Sequence, residues 1–293
     1  MTERWITGLI KINSLDIGYK KNIVSRNINL EIGTGISLFF GKNGTGKTTF
    51  FRTLTGIMLP LNGNIYYDGD KLRDGSIVKD DISILTHKSG LYSNLTIREN
   101  LDYWKSFYRN NLSTITEALL REFDLNNITD RVVRTLSKGQ TQKLAIIRSL
   151  IPNVKYIFLD EPLNGLDVKS KIKFSEILYE LKKNKTILIS THGFSDFDIE
   201  NSNKFIFYNQ TIEPYGKVVS EIWGDSIYIE ITMGNKIPQE VLKEFNIDEI
   251  GECTYSCSFE SKVMKDKFYN KINGLDIISV KTTENQLKSI LSD

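Results

Sequence analysis

The segment GKNGTGKT, residues 41–48, combines glycine, lysine and threonine at the spacing that phosphate-binding loops use. A predicted buried strand, Ile36–Phe40, precedes it, and helical propensity resumes after Lys47. The glycines let backbone N–H groups turn towards phosphate oxygens, and the start of a helix adds a favourable dipole. The lysine of such a loop reaches the β- and γ-phosphates and the threonine hydroxyl binds Mg²⁺, so the loop predicts binding of a nucleoside triphosphate. The candidate contact residues are Gly41, Lys42, Asn43, Gly44, Thr45, Gly46, Lys47, Thr48 and Thr49.

Two consecutive carboxylates, Asp160 and Glu161, follow the apolar segment Tyr156–Leu159. A buried strand that ends in acids places them at the carboxyl edge of a parallel sheet, where ligands of α/β folds bind. We expect Asp160 to hold Mg²⁺, directly or through water, and Glu161 to polarise the attacking water. The alternative interpretation is a plain strand end with a turn before Pro162, and the phosphate-binding loop upstream favours the metal site.

Three further features are less specific on their own. The segment LSKGQ, Leu136–Gln140, places a serine and a glycine at the start of a predicted helix, which makes an anion-binding corner. Taken alone, an ordinary helix N-cap explains it better, because serine is common there. His87 and His192 are the two histidines of the chain, and each follows a predicted strand. A single histidine is more often a surface or core residue than a catalyst, and that interpretation stays open for His87.

Composition and charge are those of an ordinary globular protein. The 293 residues suffice for one or two domains, and 38 basic against 36 acidic side chains give no general attraction to nucleic acid or anionic membranes. No apolar run approaches the ~20 residues that span a bilayer, and the first residues lack a signal peptide's apolar core. We therefore expect a cytoplasmic protein that reaches a membrane only through a partner. Cys253 and Cys257 are too few for a disulfide framework, and a metal site at this pair would need further ligands.

The elements predicted around these motifs alternate short apolar strands with amphipathic segments, which indicates an α/β fold with parallel strands joined by helices. Strands are predicted at Ile10–Ile17, Ile28–Ile32, Ile36–Phe40, Ile82–Leu85, Tyr156–Asp160 and Thr186–Ser190. Three helices within about residues 88–152 indicate a helical insertion, the first with an N-cap at Thr96. Residues 223–293 alternate strands and helices as a small α+β domain does, and they carry no chemical motif. For this part a packing or dimer-supporting role is favoured over a ligand site.

In chain order the sequence shows GKNGTGKT, LSKGQ, YIFLDEP, NGLD and STH. This combination resembles the ATP-binding subunits of ABC transporters over roughly residues 8–222. The match is specific, because LSKGQ lies about 90 positions after Lys47 and shortly before the Asp-Glu strand. The resemblance implies a P-loop NTPase fold of the ABC ATPase type in residues 1–222, with ATP and Mg²⁺ as cofactors. It also implies ATP hydrolysis coupled to transport across a membrane.

The resemblance assigns roles to single residues as well. Tyr19 matches the aromatic residue that stacks on adenine, and His192 matches the switch histidine at the γ-phosphate. Asp167 matches the loop that links two ATP sites. In this family Lys47 and Glu161 would act with His192 as the catalytic residues.

The LSKGQ segment matches the family signature that contacts the γ-phosphate bound by the opposite protomer, through Ser137 and Gly139 next to Gln140. The sequence departs from the family pattern at two positions. Lys138 stands where the commonest signature has a second glycine. His87 stands where the family usually has a glutamine that senses Mg²⁺ and water, and imidazole is shorter and titrates near neutral pH.

The resemblance implies two kinds of partner. One is a second ATP-binding subunit, with a homodimer favoured, because each chain carries one phosphate loop and one signature. The other is an integral membrane permease that docks on the helical region from His87 to Tyr108 and holds the chain on the cytoplasmic face of the membrane. Nucleic acid is not an expected partner.

The sequence gives less information about the direction of transport than about ATP binding. The stretch SGLYSNLTIRENL and the short C-terminal extension resemble bacterial exporters of drugs, peptides or haem. An ABC-type importer is the alternative, and so is a non-transport ABC ATPase that acts on a soluble partner. A single ATPase cassette argues against a translation factor, and the lack of a long heptad region argues against a chromosome-maintenance ATPase.

Overall fold

The computed structural model describes residues 8–20, 22–72, 81–86, 89–108, 115–192, 202–223, 227–259 and 262–282. These residues belong to two compact units, Met1–Glu213 and Pro214–Asp293. Within the described ranges, no helix has both the length and the apolar character needed to cross a membrane.

The first unit is built on a six-stranded sheet with the strand order β10-β9-β3-β8-β7-β6. Its strands are β3 (Gly35–Phe40), β6 (Ile82–Leu85), β7 (Tyr156–Asp160), β8 (Thr186–Thr191), β9 (Asn203–Tyr208) and β10 (Thr211–Pro214). The pairs β3–β8, β3–β9, β6–β7 and β7–β8 are all parallel. Nearly every residue of β3, β7 and β8 is buried, as expected of strands covered on both faces. The predicted α/β fold is confirmed.

A second sheet of the first unit is antiparallel, in the order β2-β1-β4-β5. It contains β1 (Ile10–Tyr19), β2 (Asn22–Ile32), β4 (Asn62–Tyr67) and β5 (Asp70–Lys71). The prediction of parallel strands joined by helices is wrong for this part of the chain. Only two residues separate β1 from β2, which is too short for the crossover that a parallel pair requires.

The helices of the first unit are α1 (Lys47–Leu54), α2 (Ile97–Ser106), α3 (Thr116–Glu122), α4 (Lys138–Leu150) and α5 (Val168–Leu181). The α1 helix contributes Phe50 and Phe51 to a core shared with both sheets. Phe50 packs against Phe39 of β3 at 5.3 Å, and Phe51 meets Phe158 of β7 edge-on at 5.8 Å. These aromatic contacts fix α1, and with it the end of the phosphate loop, against the sheet.

Two helices of the inserted region begin with capping boxes. Thr96 accepts a hydrogen bond from the Glu99 N–H, and the Glu99 carboxylate accepts one from the Thr96 N–H in return. Ser137 and Gln140 make the same exchange at the start of α4. The predicted N-cap at Thr96 is therefore confirmed, and α4 begins at the signature segment.

The second unit has its own sheet and core. Its elements are α6 (Tyr215–Trp223), β11 (Ile227–Met233), α7 (Gln239–Glu244), β12 (Asp248–Gly251), β13 (Thr254–Phe259), α8 (Lys262–Ile272) and β14 (Ile277–Thr282). The strand order β12-β13-β11-β14, with antiparallel neighbours, is that of a ferredoxin-like βαββαβ arrangement. Its core includes Phe245, Phe259 and Phe268. Cys257 lies in this core, and burial raises the pKa of its thiol to about 12.

Candidate functional site

The phosphate loop connects the end of β3 to the start of α1. Gly46 occupies the last loop position with φ +107°, and a Cβ there would lie 2.4 Å from Cγ1 of Val24, so only glycine fits. No described side chain caps α1, and its first turn carries no acid. The first N–H groups of the helix, which lack intrahelical partners, and the positive end of its dipole therefore face the loop. This arrangement suits a phosphate.

The Lys47 side chain is only 4% exposed, and its ammonium group contacts several parts of the site. It donates to the carbonyl oxygens of Gly41 at 2.5 Å and Lys42 at 2.9 Å, and it lies 3.2 Å from Nδ1 of His192. The Glu161 carboxylate is 3.8 Å away. Burial lowers the pKa of Lys47, while the negative charges of nearby carboxylates oppose this lowering. Lys47 is thus a buried cation placed between the loop and the ends of two strands.

Glu161 and His192 face each other at the carboxyl edge of the central sheet. Nε2 of His192 lies 2.7 Å from Oε1 of Glu161. The imidazole tautomer that carries its proton on Nε2 satisfies both contacts, because it donates to Glu161 and accepts from Lys47. Asn164 also donates to the Glu161 carboxylate at 2.8 Å. Glu161 itself has φ +51°, a left-handed conformation that is uncommon for a residue with a Cβ.

Both carboxylate oxygens of Asp160 accept hydrogen bonds from hydroxyl groups. Thr48 donates to Oδ2 at 2.7 Å, and Ser190 donates to Oδ1 at 2.5 Å. Asp160 is buried at the end of β7, directly beside Ser190 of β8 in the strand register. The carboxylate and the Thr48 hydroxyl present the oxygen donors that Mg²⁺ prefers. These residues therefore fit the metal that the loop implies.

A cleft of about 370 Å³ opens over the phosphate loop. It is lined by Tyr19, Val24, Asn43, Gly44, Gly46, Lys47, Thr48, Thr49 and Glu161. The Tyr19 ring is half exposed at this cleft, and its hydroxyl accepts a hydrogen bond from Thr49 at 3.3 Å. The structure thus brings an aromatic ring, a phosphate loop, a buried lysine and a carboxylate to one cavity.

A second cavity, of about 440 Å³, lies near the other end of α1. Met58, Leu59, Pro60 and Leu72 supply most of its apolar lining. Lys71 is its one titratable lining residue among those described, and none of the motif residues borders it. The smaller cleft, which the motif residues line, is therefore the candidate site.

The signature residues do not line the described part of this chain's own cleft. Ser137 is exposed and serves as the N-cap of α4 with Gln140 as its partner, the interpretation favoured when the segment is taken alone. A Cβ on Gly139 would lie 3.0 Å from the Gly165 carbonyl oxygen, so this glycine allows the first turn of α4 to approach the loop before α5 closely. His87 lies outside the described residues.

Asp167 lies at the start of α5 and joins it to α4. Its Oδ1 accepts hydrogen bonds from the N–H and hydroxyl of Ser170, and its Oδ2 lies 3.1 Å from the Lys143 ammonium group. These contacts, the Ser170 N–H first, lower the pKa of Asp167 to about 2. Gln142 of α4 donates to the Pro162 carbonyl at 2.8 Å. The signature helix is thus tied to the loop that follows Glu161.

Two residues of the site, Val24 and Ser190, were not predicted from the sequence. Val24 lines the cleft from β2 and packs against the loop at Gly46. Ser190 immediately precedes the threonine and histidine of the STH segment, and only its register beside Asp160 reveals its contacts. The serine in that short segment was the one available signal.

Comparison with known proteins finds relatives that are described as transporter proteins. The family model described as ABC transporter matches residues 25–164. The ABC transporter ATP-binding protein NatA of Bacillus subtilis is 37% identical over 182 residues, which are 59% of this chain and 74% of that protein. The lantibiotic transport ATP-binding protein SrtF of Streptococcus pyogenes is 33% identical over 65% of this chain and 82% of its own length. The bacitracin transport ATP-binding protein BcrA of Bacillus licheniformis is 28% identical over 92% of this chain and 91% of its own length.

Solved structures agree with these relatives. A structure described as the ATP binding subunit of an ABC transporter superposes with a TM-score of 0.66 at 26% identity, and it covers 74% of this chain and 93% of its own. A bacterial Atm1-family ABC exporter with ATP bound shares the fold, with a TM-score of 0.64 at 18% identity over 73% of this chain and 40% of its own. Motifs, fold and relatives therefore coincide. This chain belongs to the ATP-binding proteins of ABC transporters and is an ATP-hydrolysing subunit of such a transporter.

Proposed function

We propose that two copies of this chain bind ATP between them on the cytoplasmic face of a membrane and drive export through a separate permease. The observation that carries the proposal is that the cleft and the signature segment lie apart within one chain. The cleft holds the groups for binding and hydrolysis, whereas the signature at Ser137 is exposed and does not line the described part of that cleft. A second copy would supply the missing signature.

Within the cleft, we assign each residue the role that its position supports. Tyr19 stacks on adenine, because its half-exposed ring borders the loop. The loop N–H groups and Lys47 hold the phosphates, as the free helix start and buried cation favour anions. His192 contacts the γ-phosphate from the side of Glu161. The other residues of the loop lie around the same space at the start of α1, and we assign them to contacts with the phosphates as well. These residues are Gly41, Lys42, Asn43, Gly44, Thr45, Gly46 and Thr49.

Thr48 and Asp160 are the residues that would hold Mg²⁺. Their oxygens lie 2.7 Å apart, and no group of three or more metal-binding side chains exists among the described residues. A site with few protein ligands suits Mg²⁺, which takes its other ligands from phosphate and water. When bound, the ion neutralises charge on the phosphate oxygens.

Hydrolysis needs one proton acceptor and fixed positive charge. Glu161 orients the attacking water and accepts its proton, while Lys47 and His192 stabilise charge on the γ-phosphoryl group. A bond forms between the water oxygen and phosphorus as the bond to the ADP oxygen breaks, so ADP and phosphate are the products. No covalent intermediate with the protein is required.

The surface that we assign to the permease lies on the helical insertion. Tyr92, Tyr103 and Phe107 expose large apolar rings there, and Tyr92 packs edge-on against Tyr103 at 4.7 Å. Exposed aromatic clusters of this kind are typical of protein interfaces. The predicted docking region runs from His87 to Tyr108, and its first two residues lie outside the described ranges, so residues 89–108 carry the assignment.

Export is favoured over import by the extent of similarity. The relative named for bacitracin transport matches 92% of this chain and therefore includes much of the second unit. The relative named for Fe(3+) ion import, from Escherichia coli O157:H7, is 31% identical over 64% of this chain and 56% of its own length. Because the similarity to the bacitracin transport protein extends into the C-terminal part of this chain, we assign this chain to the same class of transporter as that protein.

The test is purification of the tagged full chain from its native membranes. We expect a multi-span membrane protein to co-purify, and the pair, placed in vesicles, to move its cargo in the direction of export when ATP is on the side of this chain. Recovery of ribosomes, DNA or a soluble partner without a membrane protein would overturn the transport proposal. Uptake of cargo in the import direction would overturn only the direction.

A further inference from the structure

Ser190 lies at the meeting point of the two strands that carry the acids and the histidine of the site. It belongs to β8 and is paired with Asp160 of β7, and His192 follows two residues later. Its side chain is completely buried. A buried hydroxyl at a sheet edge needs hydrogen-bond partners, and the identity of those partners indicates its role.

The Ser190 hydroxyl contacts both acids at once. It donates its single proton to Oδ1 of Asp160 at 2.5 Å and accepts the N–H of Glu161 at 3.0 Å. Because an ionised carboxylate only accepts, the direction of the first bond is fixed. Thr48 occupies the other oxygen of Asp160, so the two hydroxyls hold the carboxylate plane from both sides.

The Glu161 backbone requires such support. Its φ of +51° places a residue with a Cβ in the left-handed region, a strained conformation that persists only where the surroundings enforce it. Both acceptors of the Glu161 N–H come from Ser190, the hydroxyl at 3.0 Å and the carbonyl at 3.2 Å. This turn directs the Glu161 carboxylate towards His192 and Lys47.

We propose that Ser190 is a positioning residue for ATP hydrolysis, whose buried hydroxyl sets the Asp160 carboxylate and the Glu161 peptide in one arrangement. The inference rests on the roles proposed above for Asp160 in metal binding and Glu161 in water activation. Ser190 itself touches neither the nucleotide-facing cleft nor, by this assignment, the reacting atoms.

The test compares Ser190→Thr with Ser190→Val in the full chain. Threonine and valine have the same shape, so the pair differs only in the hydroxyl, and Ser190→Ala adds a smaller variant. We expect kcat to fall about 10- to 100-fold in the valine and alanine variants, the range seen when a group supporting a metal ligand is removed. The threonine variant should stay within a few-fold of wild type. ATP affinity measured without metal should change by less than about twofold in all three, because the phosphate loop is intact.

A second readout is Mn²⁺ binding to the ATP-loaded Glu161→Gln background, followed by electron paramagnetic resonance. Mn²⁺ prefers the same oxygen ligands, so its affinity should fall with valine and alanine but not with threonine. Equal kcat for the threonine and valine variants would overturn the inference. The inference would also be overturned if ATP affinity measured without metal, and thermal stability, fell in proportion to kcat. Such a result would show that Ser190 serves only to pack the core.

The variants separate this inference from the proposed function. If Glu161→Gln hydrolyses ATP as fast as wild type, the assigned role of Glu161 is wrong whatever Ser190 does. If Glu161→Gln is inactive while Ser190→Val is fully active, only the role of Ser190 is wrong. Should both β-branched variants fail to fold, Ser190→Ala decides: unchanged Mn²⁺ affinity overturns the inference, and weakened affinity at unchanged thermal stability supports it.

Discussion

At the scale of single residues, Lys47 connects most of the groups that the site depends on. Its ammonium group donates to two loop carbonyls and lies within reach of His192 and Glu161. The loop lysine and the two strand-end groups therefore act as one network, in which the effect of one substitution depends on the others. The loop motif predicted the lysine, but its contact with His192, 145 positions later, depends on the fold.

Replacing Glu161 by glutamine should stop hydrolysis and leave ATP binding intact. The amide keeps the size of the side chain but cannot accept a proton from water, and loss of a general base typically costs about 10²- to 10⁴-fold in rate. Steady-state ATPase assays and equilibrium ATP binding measure the two effects. Glu31→Gln, at a surface glutamate paired with Lys11, is the matched control and should retain full turnover.

Replacing Tyr19 by alanine should weaken ATP binding about fivefold or more. Stacking of a base on an aromatic side chain contributes about 1–3 kcal/mol, and the half-exposed ring places the effect at the lower end of that range. Tyr19→Phe keeps the ring and loses only the hydrogen bond from Thr49, so its dissociation constant should stay within about twofold. Equal affinity of the alanine variant and wild type, in a fluorescence titration, would exclude stacking at this position.

At the scale of elements, the first turns of several helices position the residues of the site. The phosphate loop leaves the start of α1 uncapped by any described side chain, whereas α2, α4 and α5 begin with capped residues. An uncapped start keeps N–H groups available for phosphate, and a capped one fixes the entry of the chain. The helices α3 and α7 also begin without a side-chain cap, but the start of α1, at Gly46 and Lys47, lines the cleft, which supports α1 as the phosphate-binding helix.

Asp167→Ala should lower the free energy of unfolding by about 1 kcal/mol, because it removes the N-cap of α5. Asp167→Asn should cost less, since asparagine also caps helices. The pKa of Asp167 is lowered from 3.8 to about 2, so its carboxylate stabilises the fold fully above pH 3.8 and loses this effect as pH falls through 2. Urea unfolding across this range should show the difference between wild type and Asp167→Asn shrinking with falling pH. A difference that grows would contradict this account.

The sequence predicts those elements that have continuous apolar runs or a motif at their ends. The strands β6 and β7 match their predicted bounds, because β7 is buried at all five residues and β6 at all but Ile84, and such short, largely apolar runs are typical of buried strands. The strand β9 was missed, since Asn203 and Lys204 begin it and only Phe205–Phe207 is buried. The antiparallel direction of β1 and β2 was missed as well, because alternation along a strand carries no information on its direction.

The residues of the site likewise divide into those that a local sequence motif reveals and those that only strand pairing reveals. The loop residues, the acid pair and His192 each belong to a short motif that the sequence shows, and the fold brings Lys47, Glu161 and His192 together. Ser190 and Val24 act through strand register and sheet packing, which depend on pairings distant in sequence. Residues of this second kind cannot be found from spacing alone.

At the scale of the whole molecule, the chain consists of two units with separate cores. Every motif residue placed at the site belongs to the first unit. The second, with its ferredoxin-like arrangement, has no described group of three metal-binding side chains and a buried, protonated Cys257. The packing or dimer-supporting role expected for the second unit stays a prediction.

Phe268→Ala should destabilise the second unit by about 3–5 kcal/mol and leave ATP affinity unchanged. Phe268 is fully buried and contacts Phe245 and Phe259 at 5.4 and 5.2 Å between ring centroids, so truncation leaves a cavity. Val263→Ala, at an exposed position of α8, is the control and should change stability by less than about 0.5 kcal/mol. A loss of ATP affinity in parallel with stability would show that the cleft depends on the second unit.

The central claim is that one ATP site is completed by two copies of this chain. It is tested by mixing Lys47→Ala, which disables the phosphate loop, with Ser137→Arg, which blocks the signature. Each variant alone should be inactive. In a mixed dimer, the intact loop of one copy meets the intact signature of the other, so an equal mixture should recover up to about a quarter of wild-type ATPase activity. No recovery, although both variants are folded and form mixed dimers, would contradict the account.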